Sequence, residues 1–137
     1  MIESFGETST VPSMHFFRGC AYCRMQDFTA AVEDFTIGVE LRPDDLEGYV
    51  RRAIAYWSLQ DWDLSLLDMN TAIELQPSSP RLYALRGRLQ CCLRNWKDAS
   101  MDYKRAIAIA KGSDEVCERA VQGLAECQIK HEPLPLI

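Results

Sequence analysis

The sequence lacks any long hydrophobic run, because no stretch of its 137 residues approaches the roughly 20 apolar residues that span a bilayer. Residues 1–12 contain two glutamates and neither a basic residue nor an apolar block, so a secretory signal peptide is not expected. Six cysteines are too few and too unevenly spaced for a disulfide framework in a chain of this length. We therefore expect a soluble protein of the cytoplasm or another reducing intracellular compartment, with no membrane partner.

Basic residues are also in deficit. The chain has 15 lysines and arginines against 20 acidic residues, a net charge of −5, whereas a general nucleic-acid binder is usually basic. With 47% hydrophobic and 26% charged residues, the composition is that of an ordinary globular domain. We expect one domain that does not bind nucleic acid.

Catalytic constellations are missing. The chain has two histidines, of which His15 falls on a packed helix face and His131 lies near the C-terminus. The seven glycines are scattered and form no phosphate-binding loop. The sequence therefore predicts neither an enzyme nor a cofactor.

The cysteines admit a metal site as one interpretation. Cys20 and Cys23 have a C-x2-C spacing, and Cys91 with Cys92 could complete a tetrahedral thiolate site. The C-x2-C pair lies within a predicted helix, however, whereas structural zinc motifs place it in a turn. We interpret these cysteines as small apolar lining residues and expect no metal, with redox sensitivity left as an alternative.

A repeat of 34 residues organises the chain into segments 12–45, 46–79 and 80–113. Numbered within the repeat, position 8 is small, position 17 aromatic, position 20 small and position 24 large in every copy. The residues are Gly19, Ala53 and Gly87; Phe28, Trp62 and Trp96; Ala31, Ser65 and Ala99; and Phe35, Met69 and Tyr103. Several matches in register across three copies indicate a true internal repeat.

Spacing inside each copy is helical. Positions 4, 8 and 11 of the first half share one helix face, as do positions 20, 24 and 28 of the second half. Asp27, Asp61 and Asn95 lie between the halves, and Asp and Asn are favoured N-cap residues. Each copy is predicted to be helix A, a tight turn and helix B.

The unit resembles the tetratricopeptide repeat (TPR), whose pattern is W-x2-L-G-x2-Y…A-x3-F…P. Repeat 1 has Gly19, Tyr22, Ala31, Phe35 and Pro43 at the matching positions. The resemblance covers residues 12–113 and implies an all-α fold, a right-handed α-solenoid of three antiparallel helix-turn-helix hairpins. TPR 1 would span 12–45, TPR 2 46–79 and TPR 3 80–113.

The ends of the chain complete this scheme. A seventh, capping helix is expected over 114–130, with Ser113 as its N-cap. Its expected buried stripe is Val116, Ala120, Leu124 and Cys127. Residues 1–11 are polar and predicted to be poorly ordered, and 131–137 are predicted to form an extended tail.

One departure from the TPR pattern recurs in every copy. Position 7, an apolar leucine in the pattern, is Arg18, Arg52 and Arg86, and position 23 is Asp34, Asp68 and Asp102. An arginine near a packed face needs a carboxylate partner, so we predict three structural Arg–Asp ion pairs. A row of ligand-binding arginines is the alternative.

In TPR proteins, positions 2, 5, 9, 12 and 13 of helix A line a concave groove that holds a peptide. The predicted partner groove, which includes the neighbouring Arg51, consists of Phe16, Cys20, Cys23, Arg24, Val50, Arg51, Ile54, Trp57, Arg81, Ala84, Arg88 and Cys91. This surface is unusually apolar for one that faces water, which is typical of interaction sites. The A helices carry a net charge of +6, which leaves −11 for the rest of the chain.

The carboxylate clamp, which some TPR proteins have, is not expected here. Adaptors of chaperone tails hold a C-terminal carboxylate with a clamp of lysine, asparagine and arginine side chains. The corresponding positions here are occupied by Phe16, Cys20, Arg51, Arg81 and Leu85, of which only Arg81 is chemically comparable. The resemblance thus implies a TPR module without a carboxylate clamp.

The sequence therefore predicts a protein-interaction scaffold or adaptor. It would bind, in the concave groove, a partner protein segment with apolar anchors and acidic residues. The alternative is a structural subunit of a larger assembly, docked through its convex face or its helix ends.

Overall fold

The computed structural model describes residues 2–111 and 115–131, with side chains described from Ser13 to Lys111 and from Glu115 to Lys130. Within these residues there are seven helices and no strand. They are α1 (Ile2–Arg24), α2 (Phe28–Leu41), α3 (Leu46–Ser58), α4 (Trp62–Leu75), α5 (Pro80–Cys92), α6 (Trp96–Ala110) and α7 (Glu115–His131). The all-α prediction, with three hairpins and a seventh helix, is confirmed.

The helices form two compact units. The first, Met1–Leu75, contains α1 to α4, in which α1 packs on α2, α2 on α3 and α3 on α4. The second, Gln76–Ile137, contains α5 to α7, in which α6 packs on both other helices and α5 also meets α7. Helices A of the three repeats are α1, α3 and α5, and helices B are α2, α4 and α6.

A left-handed residue ends each helix A. Gln26, Gln60 and Arg94 have φ of 63°, 64° and 62°, and they occupy the same position in the three repeats. In the first turn the Asp27 N–H donates to the Tyr22 carbonyl at 2.9 Å, and the other two turns repeat this bond at 2.9 Å. This is the Schellman arrangement, which satisfies helix carbonyls that have no intrahelical partner.

The N-caps of the B helices differ from one repeat to the next. Asp27 behaves as predicted, since its side chain accepts a hydrogen bond from the Ala30 N–H at 3.2 Å. Asn95 is the N-cap residue of α6 as predicted, but its side chain makes no capping bond and donates instead to the Gln90 side-chain oxygen at 3.0 Å. An amide can donate as well as accept, and the buried Gln90 provides an acceptor one turn back.

The core of the first unit centres on Phe35, which is 1% exposed and lies with the buried Ala31 and Ala55. Phe16, Cys20, Tyr22, Cys23 and Val32 pack against this cluster. Gly19 makes room for the ring, because a Cβ at that position would stand 2.7 Å from Phe35 Cε1. Full burial of one such side chain contributes about 1.5–3 kcal/mol to folding.

Tyr103 has the corresponding place in the second unit. Its ring is 3% exposed, and glycines of α5 and α7 both approach it. A Cβ on Gly87 would lie 3.0 Å from the ring, and one on Gly123 would lie 2.5 Å from it. In α7, Ala120 and Cys127 are fully buried as predicted, whereas Val116 and Leu124 are partly exposed.

The termini differ in detail from the predicted boundaries. Helix α1 begins at Ile2, ahead of the repeat register, so its backbone includes residues of the predicted N-terminal segment. The poor order expected for residues 1–11 remains a prediction. Helix α7 includes His131, whereas Ser113 and residues 132–137 lie outside the described residues. Among the helices described, none is both long enough and apolar enough to cross a bilayer.

Candidate functional site

The Arg–Asp pairs form in all three repeats. Two hydrogen bonds join each pair: 2.8 and 2.7 Å for Arg18–Asp34, 2.7 and 2.7 Å for Arg52–Asp68, and 2.9 and 2.7 Å for Arg86–Asp102. The spacing of 16 residues puts the arginine on helix A opposite the aspartate on helix B of one hairpin. Because each arginine bonds a buried aspartate of its own hairpin, the three arginine side chains are held within the hairpins.

Electrostatics of the pairs follow from that geometry. The hydrogen bond to the aspartate is the largest cause that raises the pKa of Arg18, Arg52 and Arg86. The hydrogen bond from Arg18 lowers the pKa of Asp34, against the opposing effect of burial. Such charge-assisted, two-pronged bonds hold both side chains in a fixed orientation.

Additional polar and aromatic groups surround the pairs. His15 Nδ1 lies 3.2 Å from Asp34 Oδ1, so the histidine is a third member of the Arg18–Asp34 cluster in repeat 1. Arg52 also donates to Thr36 Oγ1 at 3.1 Å, and its guanidinium lies near the rings of Tyr49 and Tyr56 at 5.9 and 5.8 Å. The prediction missed these neighbours, which come from positions 4, 11 and 25 of the repeats.

In the first unit the predicted groove residues differ in how far their side chains are exposed to solvent. Arg24 and Arg51 are exposed, and Ile54 and Trp57 are partly buried. Phe16, Cys20 and Cys23 are partly buried because they pack on the Phe35 cluster, so the two cysteines line apolar surface. The prediction for Val50 is wrong: it is 0% exposed, and a side chain enclosed by the protein cannot contact a partner.

A pocket of about 250 Å³ opens near the start of α3 in this unit. Its lining residues are Ser13, Phe16, Phe17, Arg42, Asp45 and Glu47. Phe16 and Phe17 meet edge to face with ring centroids 5.5 Å apart, and Phe17 is 68% exposed. Sequence reasoning missed Phe17, although Arg51 at the same repeat position was included in the predicted groove.

The second unit brings three predicted groove residues together. Arg81, Ala84 and Arg88 of α5 line a pocket of about 70 Å³ with Leu85, Tyr103 and, from α7, Val116 and Arg119. The arginines surround an apolar floor, and the other described residues that line the pocket carry no charge. Arg119 also bonds Glu115 of its own helix. We call this site the basic pocket. Arg119 was missed because α7 has no repeat partner that would predict which face it presents.

Cys91, also predicted for the groove, lies instead against another cysteine. Its Sγ is 3.2 Å from Sγ of Cys127 on α7, and both are free thiols. Cys92 is exposed at the end of α5. In the described part of the chain, no group of three or more His, Cys, Asp or Glu side chains is placed to hold a metal ion.

No protein-family model and no curated protein matches this sequence. Solved structures do resemble it, among them the first TPR of Spaghetti (RPAP3) bound to the HSP90 peptide SRMEEVD. That structure has a TM-score of 0.80 and 22% sequence identity, and the match covers 90% of this chain and 94% of the other.

Two further structures show the same likeness. The TPR2B domain of yeast Sti1, in a complex with pHsp70, has a TM-score of 0.81 and 22% identity, with coverage of 88% of this chain and 98% of the other. The Sgt2 TPR domain from Aspergillus fumigatus has a TM-score of 0.77 and 19% identity, with coverage of 90% and 85%. Together with the three hairpins and their turns, this similarity establishes that the chain has the tetratricopeptide repeat fold.

Proposed function

We propose that this chain is a protein-interaction module without enzymatic activity. It uses residues of its A helices to bind a segment of a partner protein that carries acidic residues and apolar anchors. The basic pocket of the second unit is the observation that carries this proposal. Similar structures in complex with HSP90 and Hsp70 peptides support a protein partner for the fold.

The basic pocket matches such a segment in both shape and charge. Arg81 and Arg88 are exposed on α5, and Arg119 is exposed on α7. Guanidinium groups bind carboxylates with two parallel hydrogen bonds, and arginine is enriched among residues that dominate interfaces. The floor of Leu85 and Val116 would accept a small apolar side chain next to the acidic group.

The first unit offers an apolar contact. Phe17 exposes most of its surface beside Phe16, at the mouth of the 250 Å³ pocket. Exposed aromatic side chains are preferred contact residues, because they bury a large area with little loss of conformational entropy. An apolar anchor of the partner is therefore proposed to bind here.

We further propose that binding does not require a free C-terminal carboxylate. Phe16, Cys20 and Leu85 occupy places where the chaperone-tail adaptors have polar or basic clamp residues. An apolar or thiol side chain cannot replace the hydrogen bonds of a lysine or asparagine to a carboxylate. The partner segment could then be internal to its own chain.

Fluorescence polarisation with labelled decapeptides tests the charge requirement. The peptides combine Asp or Glu with Leu or Phe at several spacings, and a matched set replaces each acidic residue with Lys. We expect Arg81→Glu/Arg88→Glu to weaken the best acidic peptide at least tenfold. The control Lys97→Glu/Lys104→Glu makes the same charge change at exposed residues of α6 outside the basic pocket and should leave affinity within twofold. Equal losses in the two variants would contradict the proposal.

The peptide SRMEEVD tests the clamp. Its acidic residues allow some binding, but amidation of its C-terminus should leave the affinity unchanged, because no clamp is present. A loss of tenfold or more on amidation would show that the terminal carboxylate is recognised after all.

The second candidate function is that of a structural subunit, and exposed leucines on α4 favour it. Leu64 is 44% exposed, Leu67 62% and Leu75 42%, in a stripe along one side of that helix. Leu64→Glu/Leu67→Glu should abolish co-purification with an assembly under this hypothesis and leave peptide binding intact. Under the first hypothesis the same variant should retain its partner.

A further inference from the structure

Two cysteines from different helices meet in the second unit. Sγ of Cys91 on α5 and Sγ of Cys127 on α7 are 3.2 Å apart, although 36 positions separate them in the sequence. A disulfide has an S–S distance of about 2.05 Å, so the sulfurs need to approach by only about 1.2 Å. Helices α5 and α7 already pack on each other, which holds both side chains in place.

The two thiols have unequal surroundings. Cys127 is 0% exposed, whereas Cys91 is partly exposed and therefore open to a small reagent. Burial is the largest cause that raises the pKa of Cys127 to about 12, so this residue remains a thiol at neutral pH. Reaction with an external oxidant should therefore begin at Cys91.

Tyr103 of α6 adds a polar contact at Cys91. Its hydroxyl is hydrogen-bonded to the Cys91 thiol, and burial is the largest cause that raises the pKa of Tyr103 well above its usual value. The hydroxyl therefore stays protonated and can donate a hydrogen bond to the Cys91 sulfur.

We propose that Cys91 and Cys127 form a redox-active pair, which a hydroperoxide converts into an intramolecular disulfide between α5 and α7. In the first step the Cys91 thiolate attacks hydrogen peroxide; the O–O bond breaks, and with one proton water leaves and Cys91 becomes a sulfenic acid. In the second step the Cys127 sulfur attacks that of Cys91, and the sulfenic hydroxyl leaves as water with the Cys127 proton. Two thiols are oxidised, and one peroxide is reduced to two waters.

The disulfide would fix the C-terminal helix. It joins α7 to α5 and so restricts the unfolded chain, an effect that raises stability and grows with the length of the closed loop. The same two helices provide Arg88 and Arg119 of the basic pocket, so the oxidised form would hold the two sides of that pocket together. The proposal of the disulfide itself does not depend on the proposed function.

The test uses full-length variants with two cysteines each. One keeps Cys91 and Cys127 and carries Cys20→Ser, Cys23→Ser, Cys92→Ser and Cys117→Ser. The control keeps Cys92 and Cys127, so its one thiol on α5 is the exposed neighbour of Cys91. Circular dichroism establishes that both are folded before each is treated with equimolar hydrogen peroxide.

We expect the Cys91/Cys127 variant to lose 2 Da as a monomer and to gain about 5–10 °C in Tm, both reversed by dithiothreitol. The control should show neither change. Tryptic mapping of oxidised wild-type protein, after alkylation of free thiols, should yield one peptide pair linked through Cys91 and Cys127. Absence of that linked pair from the wild-type protein, or equal disulfide formation in the control, would overturn the proposal.

Discussion

The Phe35 ring fills the space that a side chain at Gly19 would need, because a Cβ at residue 19 would stand 2.7 Å from Cε1 of the ring. Gly87 and Tyr103 have the same relationship in repeat 3, at 3.0 Å. Repeat 2 has Ala53 and Met69 at these positions, an added methyl group opposite a flexible side chain. Positions 8 and 24 of the repeat therefore share one volume, and an aromatic ring at one position goes with glycine at the other.

Gly19→Ala should lower the free energy of unfolding by up to about 2 kcal/mol. Overpacking costs about 1–3 kcal/mol, and the better helix propensity of alanine returns about 1 kcal/mol. In a Phe35→Met background, which copies repeat 2, the same change should have little effect. Urea denaturation of the four proteins of this double-mutant cycle measures the coupling. Equal losses in both backgrounds would show that the ring is not the obstacle.

Asp68→Ala should destabilise the protein by about 2–3 kcal/mol, because it leaves the largely buried Arg52 side chain without its carboxylate. Asp68 is 4% exposed, so water cannot readily replace it. Glu74→Ala, at an exposed carboxylate on the same helix, should change the stability by less than about 0.5 kcal/mol. Thermal denaturation gives the Tm of each variant relative to the wild type. A wild-type Tm for Asp68→Ala would contradict a structural role of the pair.

The Arg18–Asp34 pair predicts a pH dependence of stability. The pKa of Asp34 is lowered in the folded state, so its contribution is present above the unfolded pKa of about 3.9 and is lost as pH falls through the folded value. Asp34→Asn should therefore lower Tm at pH 7, and its difference from wild type should shrink as the pH falls below about 4. The loss is modest because Arg18 is 57% exposed and solvent screens the pair.

Asp44→Asn serves as the control for that measurement, since Asp44 is exposed in a turn. Its Tm should follow that of the wild type at every pH. A constant difference between Asp34→Asn and wild type from pH 7 to pH 3 would rule out the linkage.

Gln60→Gly should raise stability by about 0.5 kcal/mol. Residue 60 has φ of 64°, a conformation that costs a residue with a Cβ about 1–2 kcal/mol, part of which glycine loses again through the entropy of the unfolded chain. The same change at the exposed helical Gln128 should destabilise by about 1 kcal/mol. Chemical denaturation measures both, and a loss of stability for Gln60→Gly would contradict the interpretation.

How far the sequence could predict this structure depends on how far apart the contacts lie along the chain. Arg52 and Asp68 are 16 residues apart on the two helices of one hairpin, and the helical period with the repeat makes them neighbours. The left-handed Gln60 was not predicted, because glutamine carries no turn signal and the Schellman bonds impose the conformation.

In the candidate site, too, the sequence predicted some features and not others. Arg81, Ala84 and Arg88 share a face of α5 by helical spacing, and the structure places all three at the basic pocket. Val50 occupies a predicted groove position and is nevertheless fully buried, because burial is set by everything that packs around a helix and not by its own periodicity.

By itself, the sequence determined the TPR hairpins and the Arg–Asp spacing, since both depend on local periodicity repeated three times. Only the tertiary structure decided that Cys91 meets Cys127, that Arg119 borders the basic pocket and that Tyr103 lies against Gly123. These contacts involve α7, which occurs once in the chain. No second copy reveals its register, and the packing of its side chains against α5 and α6 alone selects the face that it buries.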